Sequence, residues 1–154
     1  MNVIEDRLKS LGIELPTPAA PVANYLPWVV VGKILHMSGQ LPLKDGKLTH
    51  DGIYFGDLAI EERVFAARQC AINLIAQMRV AAGGDLTQIR RIVKLIGFVT
   101  SHETFKDHPK VVNGASDLMV EVFGEKGRHA RSSVGVSSLP LGCAVEVEAI
   151  VELE

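Results

Sequence analysis

The sequence predicts a single α+β domain, in which a mixed β-sheet carries two helices on one face. Three observations predict it: short β-branched segments near the N-terminus, two long segments with helical apolar spacing, and an alternating segment at the C-terminus. Strands followed by helix, strand, helix and two final strands fit an α+β layer architecture. The chain of 154 residues has the length of one ordinary domain.

The N-terminal segment is predicted to be a helical extension of that domain. Over residues 3 to 11 apolar residues recur at helical spacing, namely Ile4, Leu8 and Leu11. Gly12 ends the helix, and the proline-rich stretch Pro16–Pro21 follows as a stiff linker. We therefore expect one domain over residues 1–154, of which residues 1–20 form an extension and linker.

Three strands are predicted before and between the two long helices. Trp28–Val31 and Ile34–Met37 flank Gly32-Lys33, and a glycine in a two-residue turn between β-branched segments indicates a hairpin. The segment 92–99 is short, β-branched and bounded by turn residues, which is typical of a buried strand.

Two helices are predicted from apolar periodicity and from their end signals. The first runs from Glu61 to Ala82, and Gly83-Gly84 is its natural end. The second begins with Asp107 as its N-cap and Pro109 in its first turn, and it continues until Gly124. Each helix has one apolar face, so both are expected to pack on the sheet.

The C-terminal segment is predicted to be a hairpin whose two strands are joined by Leu139–Gly142. The last strand alternates between apolar and mostly acidic positions. One of its faces therefore belongs to the core, and the other carries Glu146 and Glu148.

Arg131 is the candidate binding residue of the strand before it. Arg131, Ser133 and Gly135 share one face, which we interpret as the face away from the hydrophobic layer. From the pattern alone, such an arginine is either a solvated surface residue or part of a binding site. Glu146 on the neighbouring strand would lie close to it, and a cleft between associated chains would dehydrate both groups.

Composition and motifs exclude several classes of function. The net charge is −2 and no basic run is present, so nucleic-acid binding is not expected. Cys70 and Cys143 lack CxxC spacing, which favours reduced thiols and no metal site. The five histidines are scattered, and we interpret them as solvated. Nucleotide-binding, zinc-protease and hydrolase motifs are missing.

The cellular location is predicted from what the N-terminus and the apolar runs lack. The first residues carry acid where a signal peptide carries base. No apolar run approaches the ~20 residues that a membrane span needs. We therefore expect a cytoplasmic protein without a membrane partner.

Several short segments have a recognisable order and spacing: Tyr25-Leu26, Met37–Pro42, Ala130–Val134, Leu139-Pro140 and Val145–Ile150. Together they resemble the Rid (reactive intermediate deaminase, YjgF-type) family. The Ser-Gly-Gln-Leu-Pro piece is weak alone, but its combination with Ala-Arg-Ser and Val-Glu-Val-Glu-Ala-Ile is specific. The similarity extends over roughly residues 20 to 153.

The resemblance implies a chorismate-mutase-like (YjgF-type) fold, assembled as a homotrimer with a central barrel and with ligand clefts between subunits. It also implies an activity, the hydrolytic deamination of reactive 2-imino acids or their enamine tautomers to 2-keto acids and ammonia. The substrate would be a small carboxylate. Neither a metal nor an organic cofactor is implied.

The resemblance also implies roles for individual residues. Arg131 matches the family's carboxylate-binding arginine, and Glu146 matches its acidic residue that positions the attacking water. Tyr25, Gly39 and Asn113 match positions that line the cleft. Substrate contact is likewise expected of Ser133, which lies where the family often has a reactive cysteine.

Departures from the family pattern leave other functions open. Besides Ser133, His129 replaces the usual proline, and the N-terminal helix and a longer Lys44–Leu58 connection are extra. One alternative is a trimer that binds small carboxylates without turnover. Endoribonuclease activity ranks third, because no basic groove with stacking aromatics is evident. A chaperone-like or purely structural trimer is the remaining alternative.

Overall fold

The computed structural model describes residues 2–18, 24–50 and 58–154. Its elements in chain order are α1 (Val3–Ser10), β1 (Trp28–Val31), β2 (Ile34–Gln40), β3 (Leu43–Lys44), β4 (Lys47–Leu48), α2 (Ile60–Ala81), β5 (Ile89–Thr100), α3 (His108–Phe123), β6 (Ala130–Val136) and β7 (Val145–Leu153). Both long helices lie within one residue of their predicted bounds. The predicted linker and the Lys44–Leu58 connection lie partly outside the described residues.

Five strands form one mixed sheet in the order β1-β2-β7-β5-β6. The β1–β2 hairpin is confirmed, with Val31 opposite Ile34. Strand β6 runs parallel to β5, whereas β7 is antiparallel to the other edge of β5. The predicted C-terminal hairpin is therefore wrong, because β5 lies between β6 and β7. Helix α3 forms the crossover that a parallel β5–β6 pair requires.

Strand β5 is longer than the predicted segment 92–99, and it begins at Ile89. Its pairing with β7 shifts register between Ile89 and Arg91 and again between Ile92 and Lys94. These irregularities break the two-residue alternation on which the sequence-based bounds depend.

The core lies between the sheet and helices α2 and α3, which pack on one face as predicted. Buried apolar residues of both layers form it, among them Leu35, Leu95, Val147, Leu74 and Leu118. Two glycines bring the layers close together. A Cβ on Gly97 would overlap Val112 of α3, and one on Gly114 would overlap the backbone of Val64 in α2.

Helix α1 belongs to the same core. Its Ile4 and Leu8 are buried in it, and the Arg7 side chain donates a 3.1 Å hydrogen bond to the carbonyl of Val122 in α3. The Asn2 side chain accepts from the first-turn amide of Ile4 at 3.2 Å and so caps the helix. Of the predicted N-terminal extension, this helix is thus packed into the domain. In the described part of the chain, no helix is long and apolar enough to span a membrane.

The other face of the sheet exposes apolar side chains. Val29, Val31 and Val134 are 46%, 67% and 44% exposed. One cross-strand row on this face consists of Glu146, Phe98 and Val134. Apolar residues in such number on an open sheet face are typical of a surface that associates with another chain.

Candidate active site

Arg131 lies at the start of the edge strand β6 and belongs to the helix-covered face of the sheet. Its register partner on β5 is Leu95, whose partner on β7 is Ala149, and both are buried under the helices. Side chains in register across neighbouring strands share a face. The prediction that Arg131 lies away from the hydrophobic layer is therefore wrong. Alternation tells which residues share a face, but not which face is covered.

The guanidinium of Arg131 is anchored to helix α3 through one of its nitrogens. Nη1 donates to Asn113 Oδ1 at 2.8 Å and to Ser116 Oγ at 3.1 Å, so both of its protons are engaged. Among the described residues, Nε and Nη2 have no acceptor, and together they form one edge of the planar fork. This edge can hold a carboxylate through two parallel hydrogen bonds.

Ser133 follows Arg131 on the same face of β6. Its register partner on β5 is Gly97, and its Oγ is buried without a hydrogen-bond partner among the described residues. A buried hydroxyl without a partner is rare, because its desolvation is uncompensated. This hydroxyl can still donate to or accept from a ligand that binds beside Arg131.

A second group of predicted residues includes Glu146, which lies at the start of the central strand β7. A Cβ on Gly39 would overlap the carboxyl end of the Glu146 side chain, so these two residues are in close contact. The contact occurs at a β-bulge, because the β2–β7 register shifts between Met37 and Gln40. A side chain at position 39 would displace the carboxylate.

Tyr25 belongs to the segment that leads into this group. Ser38 holds the segment, because its Oγ donates to the carbonyl of Leu26 at 2.7 Å and its amide donates to that of Pro27 at 2.9 Å. Tyr25 is 63% exposed, and with Gly39 it lines a cavity of about 480 Å³. An aromatic ring with this exposure is free to cover a ligand.

The environment of Glu146 makes its carboxylate easier to protonate than an exposed one. Partial burial, and secondarily the negative charge of Glu148 on the same face, raises the pKa of the Glu146 carboxyl above its usual range. A carboxyl whose pKa is shifted toward neutrality can accept a proton and return it.

The six predicted site residues thus form two separate groups within one chain. Arg131, Asn113 and Ser133 form the arginine group. The glutamate group consists of Glu146, of Gly39, which contacts it, and of Tyr25, which lines a cavity with Gly39 that Glu146 itself does not line. The predicted pairing of Arg131 with Glu146 on neighbouring strands is wrong, because β5 separates them and they belong to opposite faces of the sheet. Arg131 and Glu146 lie two strands apart across the sheet and three residues apart along the strands. Their backbone positions are therefore separated by on the order of 14 Å.

Two residues that adjoin the arginine group were not predicted as site residues. Ser116 lies three residues after Asn113 on α3, and this spacing places helix neighbours on one face. His129 was interpreted as solvated, which is wrong: it is partly buried and its Nε2 lies 2.9 Å from Ser116 Oγ. Its position two residues before Arg131 was the available signal.

The mixed sheet with two helices on one face defines a YjgF-type, chorismate-mutase-like α+β protein. The chain belongs to this family, whose description is "YjgF/chorismate mutase-like, putative endoribonuclease" and which matches residues 5–153. The expected membership of the Rid family is thereby confirmed.

Individual relatives agree with this assignment. The chain is 50% identical over 147 residues to "Protein TCP17" of Trypanosoma cruzi, covering 95% of this chain and 91% of that protein. It is 30% identical over 142 residues to a "2-iminobutanoate/2-iminopropanoate deaminase" of Dermatophagoides farinae, covering 92% and 95%. The crystal structure of the protein Atu1372 from Agrobacterium tumefaciens is 47% identical, with a TM-score of 0.92 and coverage of 99% and 93%.

Proposed function

We propose that this protein hydrolyses reactive 2-imino acids or their enamine tautomers to 2-keto acids and ammonia, in a cleft between two subunits. The observation that carries the proposal is the guanidinium of Arg131, held by Asn113 and Ser116 with its Nε and Nη2 edge free for a carboxylate. The name of the mite relative, a 2-iminobutanoate/2-iminopropanoate deaminase, supports the same substrate class.

The distribution of the two groups supports an inter-subunit location. Neither group alone combines an anion-binding cation with a carboxylate that can move a proton. In a ring of identical chains each subunit offers one surface to the next and a different surface to the previous one. The arginine group of one subunit then faces the glutamate group of its neighbour. The exposed valines on the open sheet face supply the apolar contact for such a ring, which we propose to be a homotrimer.

The reaction needs only binding, orientation and one proton relay. The free edge of Arg131 grips the substrate carboxylate and places the imine carbon near a water held by Glu146. Glu146 accepts a proton from this water as its oxygen bonds to the imine carbon. Glu146 passes this proton to the nitrogen, which gives a carbinolamine. It then accepts the proton of the carbinolamine hydroxyl and passes it to the amino nitrogen as the C–N bond breaks, so that a 2-keto acid and ammonia leave and one water is consumed per imine.

The proposal is tested by generating an imine in place with an amino-acid oxidase and following 2-keto acid release. We expect the wild type to accelerate release, and we expect both Arg131→Ala and Arg131→Lys to lose the acceleration, because an ammonium cannot bind the carboxylate bidentately. Arg128→Gln is the matched control, since Arg128 is exposed and pairs only with Glu125 among the described residues. A wild-type rate equal to that of Arg131→Ala contradicts the proposal.

The same preparation distinguishes the principal alternative, a trimer that binds small carboxylates without turnover. The unpartnered hydroxyl of Ser133, where the family often has a reactive cysteine, favours this alternative. Calorimetry would then show pyruvate binding that disappears in Arg131→Ala, while no imine is hydrolysed faster than in buffer.

A further inference from the structure

A chain of hydrogen bonds connects the backbone at Gly127 to the guanidinium of Arg131. The Nδ1 of His129 lies 2.6 Å from the carbonyl oxygen of Gly127, and its Nε2 lies 2.9 Å from Ser116 Oγ. Ser116 Oγ in turn accepts from Arg131 Nη1 at 3.1 Å. Three side chains from α3, β6 and the segment between them are thus connected in series.

The chemistry of the groups sets the direction of this chain. A carbonyl oxygen can only accept, so Nδ1 of His129 carries a proton and donates to Gly127. In a neutral imidazole Nε2 then has a free lone pair, which accepts the hydroxyl proton of Ser116. The oxygen of Ser116 is left with lone pairs that face Arg131. The Arg131 N–H therefore points at a lone pair of the Ser116 oxygen, and the hydroxyl proton of Ser116 does not lie between the two atoms.

The surroundings of His129 favour its neutral form. Burial lowers the pKa of His129, the bond to Gly127 partly opposes this, and the positive charge of Arg131 lowers the pKa further. A protonated His129 would donate from both nitrogens, and the hydroxyl proton of Ser116 would have to point elsewhere. The neutral form is the one that gives the hydrogen-bond directions described above.

We propose that His129 is a positioning residue for Arg131: through Ser116 it fixes the Nη1 end of the guanidinium, so that the Nε and Nη2 edge stays directed at the substrate carboxylate. This inference rests on the proposed function for its kinetic consequence, but the anchoring of Arg131 does not depend on turnover. Without His129 the Ser116 hydroxyl rotates freely, and Asn113 becomes the only fixed partner of Nη1 among the described residues. The guanidinium then samples several orientations.

The test compares His129→Leu, His129→Gln and Ser116→Ala, with His129→Leu/Ser116→Ala as the double variant. A glutamine oxygen replaces Nε2 as the acceptor for Ser116, whereas leucine only fills the space. His102→Leu is the matched control, because His102 is exposed and its side chain hydrogen-bonds only to Thr104 among the described residues. Thermal unfolding of each variant separates loss of fold from loss of positioning.

We expect His129→Leu to raise KM for the imine by about 10-fold, the loss of one net hydrogen bond, with a smaller change in kcat. His129→Gln should restore most of the affinity. In the Ser116→Ala background His129→Leu should have no further effect, because the two residues act in series. Independent, additive effects, or a glutamine variant as weak as the leucine variant, would overturn the proposal.

A spectroscopic readout keeps this inference separate from the proposed function. In ¹⁵N NMR spectra the wild-type imidazole should be neutral with its proton on Nδ1, and the Arg131 side-chain signals should be sharp and protected. Both features should survive even if no imine is hydrolysed and no pyruvate binds. A proton on Nε2 of His129, or Arg131 signals unchanged by His129→Leu, would contradict the positioning role.

Discussion

The contact between Gly39 and Glu146 predicts that Gly39→Ala removes activity without unfolding the protein. The new Cβ would overlap Oε1, Cδ and Cγ of Glu146, which are the far end of a flexible side chain. Gly39 is not among the glycines with positive φ, so alanine suits its backbone. Glu146 would rotate away from its position. The carboxylate, and with it the water that we propose it to hold, would be displaced.

The magnitudes for Gly39→Ala follow from this picture. Forcing the Glu146 side chain off its preferred rotamer costs about 0.5–1.5 kcal/mol, and removing a glycine from the unfolded chain gains about 0.4–1 kcal/mol. The free energy of unfolding should therefore change by less than about 1 kcal/mol. The rate of imine hydrolysis should fall by ~100-fold or more, as when an acid–base group is lost.

Gly39→Ala is assayed by 2-keto acid release in the presence of an amino-acid oxidase, together with thermal unfolding. Glu146→Gln serves as the background control, in which adding Gly39→Ala should cause no further loss of rate. An alanine variant that is folded and retains the wild-type rate would refute the assigned role of Glu146.

Two further predictions concern stability. Because the pKa of Glu146 is raised in the folded protein, its contribution to stability is lost as the pH rises through that pKa. Chemical denaturation should find Glu146→Gln more stable than the wild type at pH 7 and equal to it near pH 4; a constant difference would contradict this. Gly114→Ala should lower the free energy of unfolding by about 2–3 kcal/mol, because its Cβ meets the backbone of Val64, which cannot rotate away. An unchanged melting temperature would contradict this.

The sequence predicted the helices and strands better than it predicted which strands are neighbours in the sheet. Helices α2 and α3 and the β1–β2 hairpin were correct, because apolar periodicity and turn glycines are local signals. The pairing of β6 and β7 was wrong, because nothing local tells that β6 docks in parallel on the far edge of β5. The parallel pairing of β5 and β6 depends on helix α3, which connects the two strands as a crossover.

The site was predicted as a set of residues but not as an arrangement. The family resemblance indicated Arg131 and Glu146, and the structure assigns them to opposite faces of the sheet. Ser116 was missed because a serine on a helix carries no motif of its own. Its importance comes from the bonds to Arg131 and His129, which only the fold brings together.

The central claim is that the arginine group of one subunit and the glutamate group of another complete one cleft. Subunit complementation tests it most directly: Arg131→Ala and Glu146→Gln chains, each inactive alone, are co-expressed in equal amounts and purified as mixed oligomers. With random assembly, half of the arginine groups and half of the glutamate groups are intact, so about one quarter of the clefts should be complete. We predict recovery of about a quarter of the wild-type rate of imine hydrolysis. Mixed oligomers as inactive as either parent would contradict the claim.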